Sequence, residues 1–310
     1  MSENTKNNNP SVAVGIDIGS NSIRMLIAKV HNGKIIEMLA SERATTRLAS
    51  GIKTTGLLSE KSLNASLDVL NNFKQIIDKF SADKIKAFAT SAVREAKNGN
   101  TFIDEVRKIG IPIEIISGIT EANLVYKGVN TGLDIGEYPL IFDTGGGSTE
   151  FIAAQNGDII FAESYKIGVV KLVDQFDMKD NALSSIPSCK DFVSNFFKDI
   201  VLPKNCATLI ATAGTATTVA AIHMKMKQYD WRLINGYKVN KIDIERLLYQ
   251  IASTPYSERI KIPGMEKGRE DLIIPGIIII LEIMSKTGFQ ELTISDFGLR
   301  EGAVVFAAGC

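Results

Sequence analysis

The sequence is poor in the residues that build zinc and disulfide sites. Its 310 residues include two histidines, His31 and His223, and three cysteines, Cys189, Cys206 and Cys310, with no Cys-x-x-Cys pair. A zinc site built from histidine is therefore not expected. The widely spaced cysteines are typical of reduced thiols, so we expect a cytoplasmic protein.

The chain also lacks a hydrophobic run long enough to span a membrane, and it has no excess of either charge. The most apolar stretch, residues 272–284, contains Pro275 and Gly276 and carries Glu282. It is too short to span a bilayer, so it is predicted to be a buried helix. Lysine plus arginine equal aspartate plus glutamate at 35 each, so no overall field favours nucleic acid or a membrane surface. Residues 1–10 are polar, lack the apolar core of a signal peptide, and are expected to form a disordered tail.

What the sequence does contain is a glycine turn that directly follows an apolar strand, in residues 140–150. The turn consists of Gly145, Gly146 and Gly147 and the hydroxyl residues Ser148 and Thr149, flanked by Asp143 and Glu150. Glycine lets a backbone approach an anion closely and point several N–H groups at it. Carboxylates are the ligands that a phosphate-bound Mg²⁺ prefers. The stretch therefore suggests a magnesium–phosphate site, with a plain hairpin turn as the alternative.

Residues 12–22 repeat this layout. An apolar strand leads into Asp17, which is followed by Gly19 and by the polar side chains of Ser20, Asn21 and Ser22. The two aspartates lie about one domain apart in the sequence, which suggests two related halves that close on a phosphate from both sides. Neither stretch fits the P-loop or the dinucleotide-binding glycine pattern.

Three further places carry candidate residues, each with a structural alternative. Arg94 lies at the start of a predicted helix, where it would bind phosphate or simply lie on the surface. Glu121 lies in the first turn of the next long helix, where it would act as a general base or only favour the helix dipole. The turn at Gly214 and Thr215 would bind phosphate or pack tightly.

The periodicity predicts an α/β chain that opens with a strand meander over 11–18, 23–30 and 34–44, which separates it from a Rossmann unit. Helices are predicted over residues 59–80 and 187–200, among others, and a closing helix near the end. The domain joint is predicted near residues 117–130.

Six stretches, in order along residues 14–302, together resemble the exopolyphosphatase/guanosine pentaphosphatase (Ppx/GppA) family. They are residues 17–24, 89–96, 116–122, 143–150, 214–218 and 295–302. The resemblance implies two actin-like domains of the ribonuclease H-like, sugar kinase/Hsp70/actin superfold, with an interdomain cleft. The expected boundaries are 11–120 for domain I and 121–298 for domain II, with the closing helix 299–310 packing back on domain I.

The resemblance also implies Mg²⁺-dependent hydrolysis of a terminal phosphoanhydride. Glu121 matches the catalytic base, Asp143 and Glu150 match positions that hold metal and orient water, and Asp17 is a further expected metal ligand. The expected phosphate-binding residues are Gly19, Ser20, Asn21, Ser22, Arg94, Gly145, Gly146, Gly147, Ser148, Thr149, Gly214 and Thr215.

The expected substrate is inorganic polyphosphate, and guanosine pentaphosphate (pppGpp) is the first alternative. A kinase or ATPase of the superfold and a (p)ppGpp- or polyphosphate-binding sensor are the others. A homodimer is expected from the resemblance alone, with no nucleic-acid or membrane partner.

Two departures from the family pattern bear on function. Thr120 replaces a glutamate that often precedes Glu121, which would alter the pKa of the base. The sequence ends at Cys310, whereas long members carry a further C-terminal helical region implicated in binding long chains. A weaker hold on long polyphosphate is therefore expected.

Overall fold

The structure is a computed structural model in which residues 10–82 and 84–309 are described. Apart from Pro10, the tail predicted for residues 1–10 lies outside the described residues, as does Cys310.

The first half of the chain forms a five-stranded mixed sheet with helices packed on it. Its strands are β1 (Ser11–Ile18), β2 (Ser22–His31), β3 (Lys34–Thr45), β4 (Lys84–Ala89) and β5 (Ile113–Ile115), in the spatial order β3-β2-β1-β4-β5. Its helices are α1 (Ile52–Thr55), α2 (Glu60–Lys79), α3 (Ser91–Glu95) and α4 (Gly99–Lys108). The apolar spacing of α2 buries Leu70, Phe73 and Ile77 against the sheet, and Ser59 caps its first turn.

Helix α5 (Gly118–Gly132) leads into the second half, a six-stranded mixed sheet. Its strands are β6 (Pro139–Thr144), β7 (Thr149–Gln155), β8 (Asp158–Tyr165), β9 (Thr208–Thr212), β10 (Lys238–Asn240) and β11 (Glu291–Ile294), in the order β10-β11-β9-β6-β7-β8. Its helices are α6 (Val169–Val173), α7 (Ala182–Phe197), α8 (Ala213–His223), α9 (Trp231–Ile234), α10 (Lys241–Ser253), α11 (Ile273–Thr287) and α12 (Leu299–Ala307), with a 3₁₀ turn at Tyr256–Lys261.

The two halves share one topology. An antiparallel meander, β1-β2-β3 in the first half and β6-β7-β8 in the second, is extended by parallel strands on the side of its first strand. Strands β4 and β5 correspond to β9 and β11, and β10 is an addition at the edge of the second sheet. This duplication is what two actin-like domains require, and it gives each half one turn between its first two strands.

Helices α5 and α12 pack on each other, and α12 also lies across β1, β2 and β4 of the first sheet. A Cβ atom on Gly302 would lie 1.9 Å from the carbonyl oxygen of Leu124, so this crossing requires glycine. The last helix therefore returns to the first half. The domain boundaries at residues 120 and 298 stay a prediction, with α5 and the segment before α12 as the proposed links.

Two predicted helices are present, and the structure differs from the expectation only in where they begin and in how they accommodate proline. The helix predicted over 187–200 is α7, which begins at Ala182 and contains Pro187 in its second turn. The buried helix predicted for 272–284 is confirmed as α11. Pro275 does not interrupt it, because this residue lies in the first turn, where its missing N–H would have no helical acceptor. Helix α11 is almost wholly buried against α7, α8 and α10. No described helix is both long enough and apolar enough to cross a membrane.

Candidate active site

The two turns predicted to face each other have the same backbone hydrogen bond. The N–H of Gly19 donates to the carbonyl of Ser22 at 3.1 Å, and the N–H of Gly145 donates to the carbonyl of Ser148 at 2.9 Å. Across the strands that flank each turn, Asp17 pairs with Arg24, whereas Asp143 pairs with Glu150. The two halves therefore present one aspartate each, opposite an arginine in one half and a glutamate in the other.

A cavity of about 80 Å³ lies between these turns, with room for roughly five to eight waters. Its lining includes twelve of the predicted residues: Asp17, Gly19, Ser20, Asn21, Ser22, Glu121, Asp143, Gly145, Gly146, Gly147, Ser148 and Gly214. The Asn21 side chain is 8% exposed, and neither of its polar atoms finds a hydrogen-bond partner among the described residues. A buried amide without a partner is costly, so Asn21 indicates that this cavity takes a polar ligand.

Glu121 is placed in the cavity by helix α5. Ser117 caps the helix by accepting the N–H of Thr120 at 3.1 Å, and Glu121 follows one residue later. Burial raises the pKa of Glu121 well above its usual value, and the charge of Glu150 raises it further, while Arg94 opposes both. A carboxylate with a raised pKa is a stronger base, which is what abstraction of a proton from water needs.

Four predicted residues are not among those that line the cavity. Arg94 donates from Nη1 to the carbonyl of Ile116 at 2.7 Å and to Glu121 Oε2 at 3.2 Å, so in this structure it holds the Glu121 carboxylate in place. Thr149 donates to the carbonyl of Ile167 at 2.8 Å. Thr215 and Glu150 are the other two, and both are buried.

Glu150 is held by serine hydroxyls. Ser164 Oγ donates to Glu150 Oε1 at 2.7 Å. Burial raises the pKa of Glu150 to about 7, although the hydrogen bonds from Ser164 and Ser148 lower it. The bound carboxylate therefore has a fixed orientation next to Asp143 and Glu121.

Three arginines that the sequence analysis did not select also line the cavity: Arg24, Arg269 and Arg300. Arg269 is 5% exposed, and its Nε donates to Glu266 Oε2 at 2.6 Å. Burial lowers the pKa of Arg269 to about 9, and the charge of Arg24 lowers it further. Three cations at one cavity favour an anion. Arg24 and Arg300 lie in the motifs at 17–24 and 295–302, and this position in the sequence could have identified them as candidate site residues.

Glycine at position 214 is what admits Arg269 to the cavity. A Cβ atom on Gly214 would lie 1.4 Å from Arg269 Nη2. The preceding Ala213 has a φ of +70°, an uncommon conformation for a non-glycine residue that costs on the order of 1 kcal/mol or more. The start of α8 is thus shaped around the guanidinium.

The acidic residues of the site fit a divalent cation that is shared with a substrate. Burial raises the pKa of Asp17 to about 6. Burial, then the charges of Glu150 and Asp17, raise the pKa of Asp143 to about 8. Within residues 10–82 and 84–309, no three His, Cys, Asp or Glu side chains lie close enough to hold a metal ion by themselves. Mg²⁺ commonly uses one or two carboxylates plus phosphate and water oxygens, which Asp17 and Asp143 at the cavity would allow. The role of Glu150 as a ligand stays a prediction, because its side chain does not line the cavity.

Comparison with known proteins decides the family. The model of the Ppx/GppA phosphatase family matches residues 26–308. The chain belongs to the Ppx/GppA phosphatase family. The resemblance, the actin-like fold and the enzyme class predicted from the sequence, a hydrolase that acts on phosphoanhydrides, are therefore confirmed.

Individual relatives of this Ppx/GppA phosphatase align with it over nearly its whole length. It is 31% identical to a bifunctional 3-dehydroquinate synthase/phosphatase of Fusobacterium nucleatum, over 97% of this chain but 47% of that protein. It is 27% identical to exopolyphosphatase 2 of Mycobacterium tuberculosis, over 95% and 98%. It is also 27% identical to a guanosine-5'-triphosphate,3'-diphosphate pyrophosphatase of Photobacterium profundum, over 93% and 58%. The crystal structure of the Aquifex aeolicus family member is 30% identical and superimposes with a TM-score of 0.83, over 97% and 98% of the two chains.

Proposed function

We propose that this Ppx/GppA phosphatase is an exopolyphosphatase, which removes the terminal phosphate of inorganic polyphosphate and releases orthophosphate. The observation that carries the proposal is the cavity that unites both glycine turns, the buried base Glu121 and three arginines. A relative of matching length, from Mycobacterium tuberculosis, is called an exopolyphosphatase, which supports the same substrate.

The terminal phosphate would lie between the turns that begin at Gly19 and Gly145, where backbone N–H groups and serine hydroxyls donate to its oxygens. The Asn21 amide, which has no partner among the described residues, would donate to the same group. Arg24, Arg269 and Arg300 would lie along the next phosphates of the chain. The phosphate is thereby held with its outer face towards Glu121.

Glu121 would accept the proton of the attacking water, and Arg94 would keep its carboxylate aimed at that water through the 3.2 Å contact. Glu150, buried next to the cavity and held by Ser164 and Ser148, would act through its negative charge, which raises the pKa of Glu121 and of Asp143. Phosphoryl transfer depends mainly on positioning and on neutralising charge. A bound Mg²⁺, held by Asp143 with Asp17, would supply charge neutralisation at the phosphate oxygens.

The alternative substrate, pppGpp, is favoured by one observation. A second groove of about 620 Å³ adjoins the reaction cavity and shares Arg24 and Arg300 with it. Tyr229 and Trp231 lie on its wall, and aromatic side chains bind nucleobases by stacking. A nucleoside attached to the phosphates would fit there, whereas polyphosphate would contact only the arginines.

Phosphate release in the presence of Mg²⁺ tests the proposal. Short polyphosphate, long polyphosphate and pppGpp are compared at matched concentrations, each with and without chelator. A higher kcat/KM for polyphosphate supports the exopolyphosphatase, and the ratio of short to long chains measures how well this core holds a long polymer. A higher kcat/KM for pppGpp overturns the substrate assignment.

The remaining alternatives give different results in the same assay. A kinase or ATPase would release phosphate from ATP or transfer it to an acceptor, and membership of a phosphatase family argues against it. A sensor would bind polyphosphate or (p)ppGpp tightly without phosphate release. Binding without turnover for all three substrates would therefore overturn the hydrolytic proposal.

A further inference from the structure

A second cavity, of about 280 Å³, lies on the reverse side of the catalytic turns. Ser20, Ser91, Gly146 and Gly147 line both this rear cavity and the reaction cavity. A Cβ atom on Gly147 would lie 2.3 Å from Ser91 Oγ, so these residues are packed without a gap. These four residues separate the two cavities, and because each of them lines both cavities, the wall is only one residue thick.

The rear cavity differs chemically from the reaction cavity because most of its surface is apolar. Its walls come from both halves of the molecule: Ile52 and Ala92 from the first, and Val170, Leu172 and Phe196 from the second. A polyphosphate placed there would leave its oxygens without hydrogen-bond donors. The occupant must therefore present an apolar body.

The charges at this cavity select a ligand that also carries one negative charge. Lys53, Lys166 and Lys171 lie around it together with Glu95 and Asp174. Lys171 forms an ion pair with Glu95 at 3.0 Å, and the charge of Lys53 acts on Asp174. Three lysines against two acids leave one positive charge in excess.

The rear cavity is connected to the catalytic turn by helix α6. The N–H of Val169 donates to the carbonyl of Gly145 at 3.1 Å, and the N–H of Val170 donates to the carbonyl of Gly146 at 2.9 Å. Val170, Lys171 and Leu172 of the same helix line the rear cavity. A ligand that packs on α6 therefore acts directly on the backbone that would hold the terminal phosphate.

We propose that the rear cavity is a regulatory site for a small apolar monoanion, a ring system with one carboxylate or sulfonate group. The ring packs between α1 and the α6–α7 side, and the anionic group is bound by Lys53 and Lys166. Because the ligand touches both halves and α6, it restrains the catalytic turn and slows turnover without occupying the substrate cavity.

The binding test uses 8-anilinonaphthalene-1-sulfonate, an aromatic monoanion whose fluorescence rises in apolar sites, and the neutral N-phenyl-1-naphthylamine. The double variant Lys53→Gln/Lys166→Gln weakens binding of the sulfonate by roughly three- to tenfold, as expected for exposed ion pairs, and leaves the neutral dye unchanged. Ile52→Trp fills the cavity and weakens both dyes. Lys204→Gln, an exposed lysine elsewhere, is the matched control and changes neither.

Two results of this titration would overturn the site. One is an unchanged affinity for the sulfonate in both the double-lysine and the Ile52→Trp variants. The other is complete displacement of the dye by excess pyrophosphate with Mg²⁺, because the dye would then occupy the substrate groove. Unchanged melting temperatures of the lysine variants show that the comparison is made on folded protein.

The kinetic test rests on the proposed function. With the hydrolysed substrate, the sulfonate lowers kcat and leaves KM unchanged, and the double-lysine variant needs roughly three- to tenfold more dye for the same effect. A rise in KM with constant kcat would overturn the coupling through α6. If no substrate is hydrolysed, the proposed function fails while the dye titration still decides the site.

Discussion

Replacing Glu121 with glutamine tests the proposed base most directly. Glutamine has nearly the same shape and can still accept a hydrogen bond from Arg94 through its amide oxygen, but it cannot accept a proton from water. The contact from Arg94 Nη1 to Glu121 Oε2, 3.2 Å in the structure, is therefore expected to survive. The variant isolates the proton transfer from the positioning of the water.

The expected loss of turnover is about a hundred- to ten-thousand-fold, the usual contribution of a general base. This corresponds to a rise of roughly 3–5 kcal/mol in the activation barrier. Stability should not fall, because burial raises the pKa of Glu121 and the charged form is therefore disfavoured in the folded state. The melting temperature is expected to be unchanged or higher.

The assay measures phosphate release at saturating substrate, substrate affinity by equilibrium binding, and the melting temperature. Glu114→Gln, a substitution of an exposed glutamate on β5, is the control and should keep full turnover. A Glu121→Gln variant with turnover within about threefold of the parent would remove Glu121 from the mechanism. Affinity lost in proportion to turnover would show that Glu121 binds substrate instead of activating water.

Further predictions concern the wall, an arginine and the acidic residues. Gly147→Ala, whose Cβ would lie 2.3 Å from Ser91 Oγ, should push the second turn away from the start of α3 and abolish most phosphate release, with part of it restored by adding Ser91→Ala. Arg269→Met should raise KM about ten- to a hundredfold through loss of a charged hydrogen bond, without lowering the melting temperature, since burial already disfavours its charge. With metal removed by EDTA, the free energy of unfolding should fall as the pH rises from about 4 towards 8. Asp143 has a pKa near 8 in the folded protein, so the folded state binds more protons than the unfolded state over that range. Denaturant titrations of the parent and Asp143→Asn check this, and an equal slope in both would contradict it.

The parts of the site that could be predicted from sequence are those set by local chain geometry. A strand that ends in Asp-x-Gly before a polar turn predicts a backbone hydrogen bond that closes the turn. The N–H groups of Gly19 and Gly145 both donate such a bond, each to the carbonyl three residues later. The helix cap at Ser117 likewise fixes where Glu121 begins to face the cavity. These features depend on neighbours within a few residues, so the sequence contains the information directly.

The parts that could not be predicted depend on which distant groups meet. Arg269 reaches the cavity because Gly214 leaves space for it, more than fifty residues earlier in the chain. Arg94 donates hydrogen bonds to Glu121 and to the carbonyl of Ile116, and the residues next to Arg94 in the sequence do not indicate these partners. Thr149 follows the turn but lies on the strand face opposite Glu150, where it binds the carbonyl of Ile167.

The two halves show how a duplicated fold acquires a polar reaction site. Their turns share one backbone arrangement and one aspartate, so symmetry alone would give a cavity with the same charge on both sides. The residue paired with each aspartate across the strands breaks this symmetry, since it is Arg24 in the first half and Glu150 in the second. The arginine side suits an anionic chain, while the glutamate side suits a metal ion and a water. A single cross-strand position in each half therefore makes the two ends of the cleft chemically different. In the proposed function the phosphate chain would lie along the arginines, and the attacking water would lie at the acidic end beside Glu121.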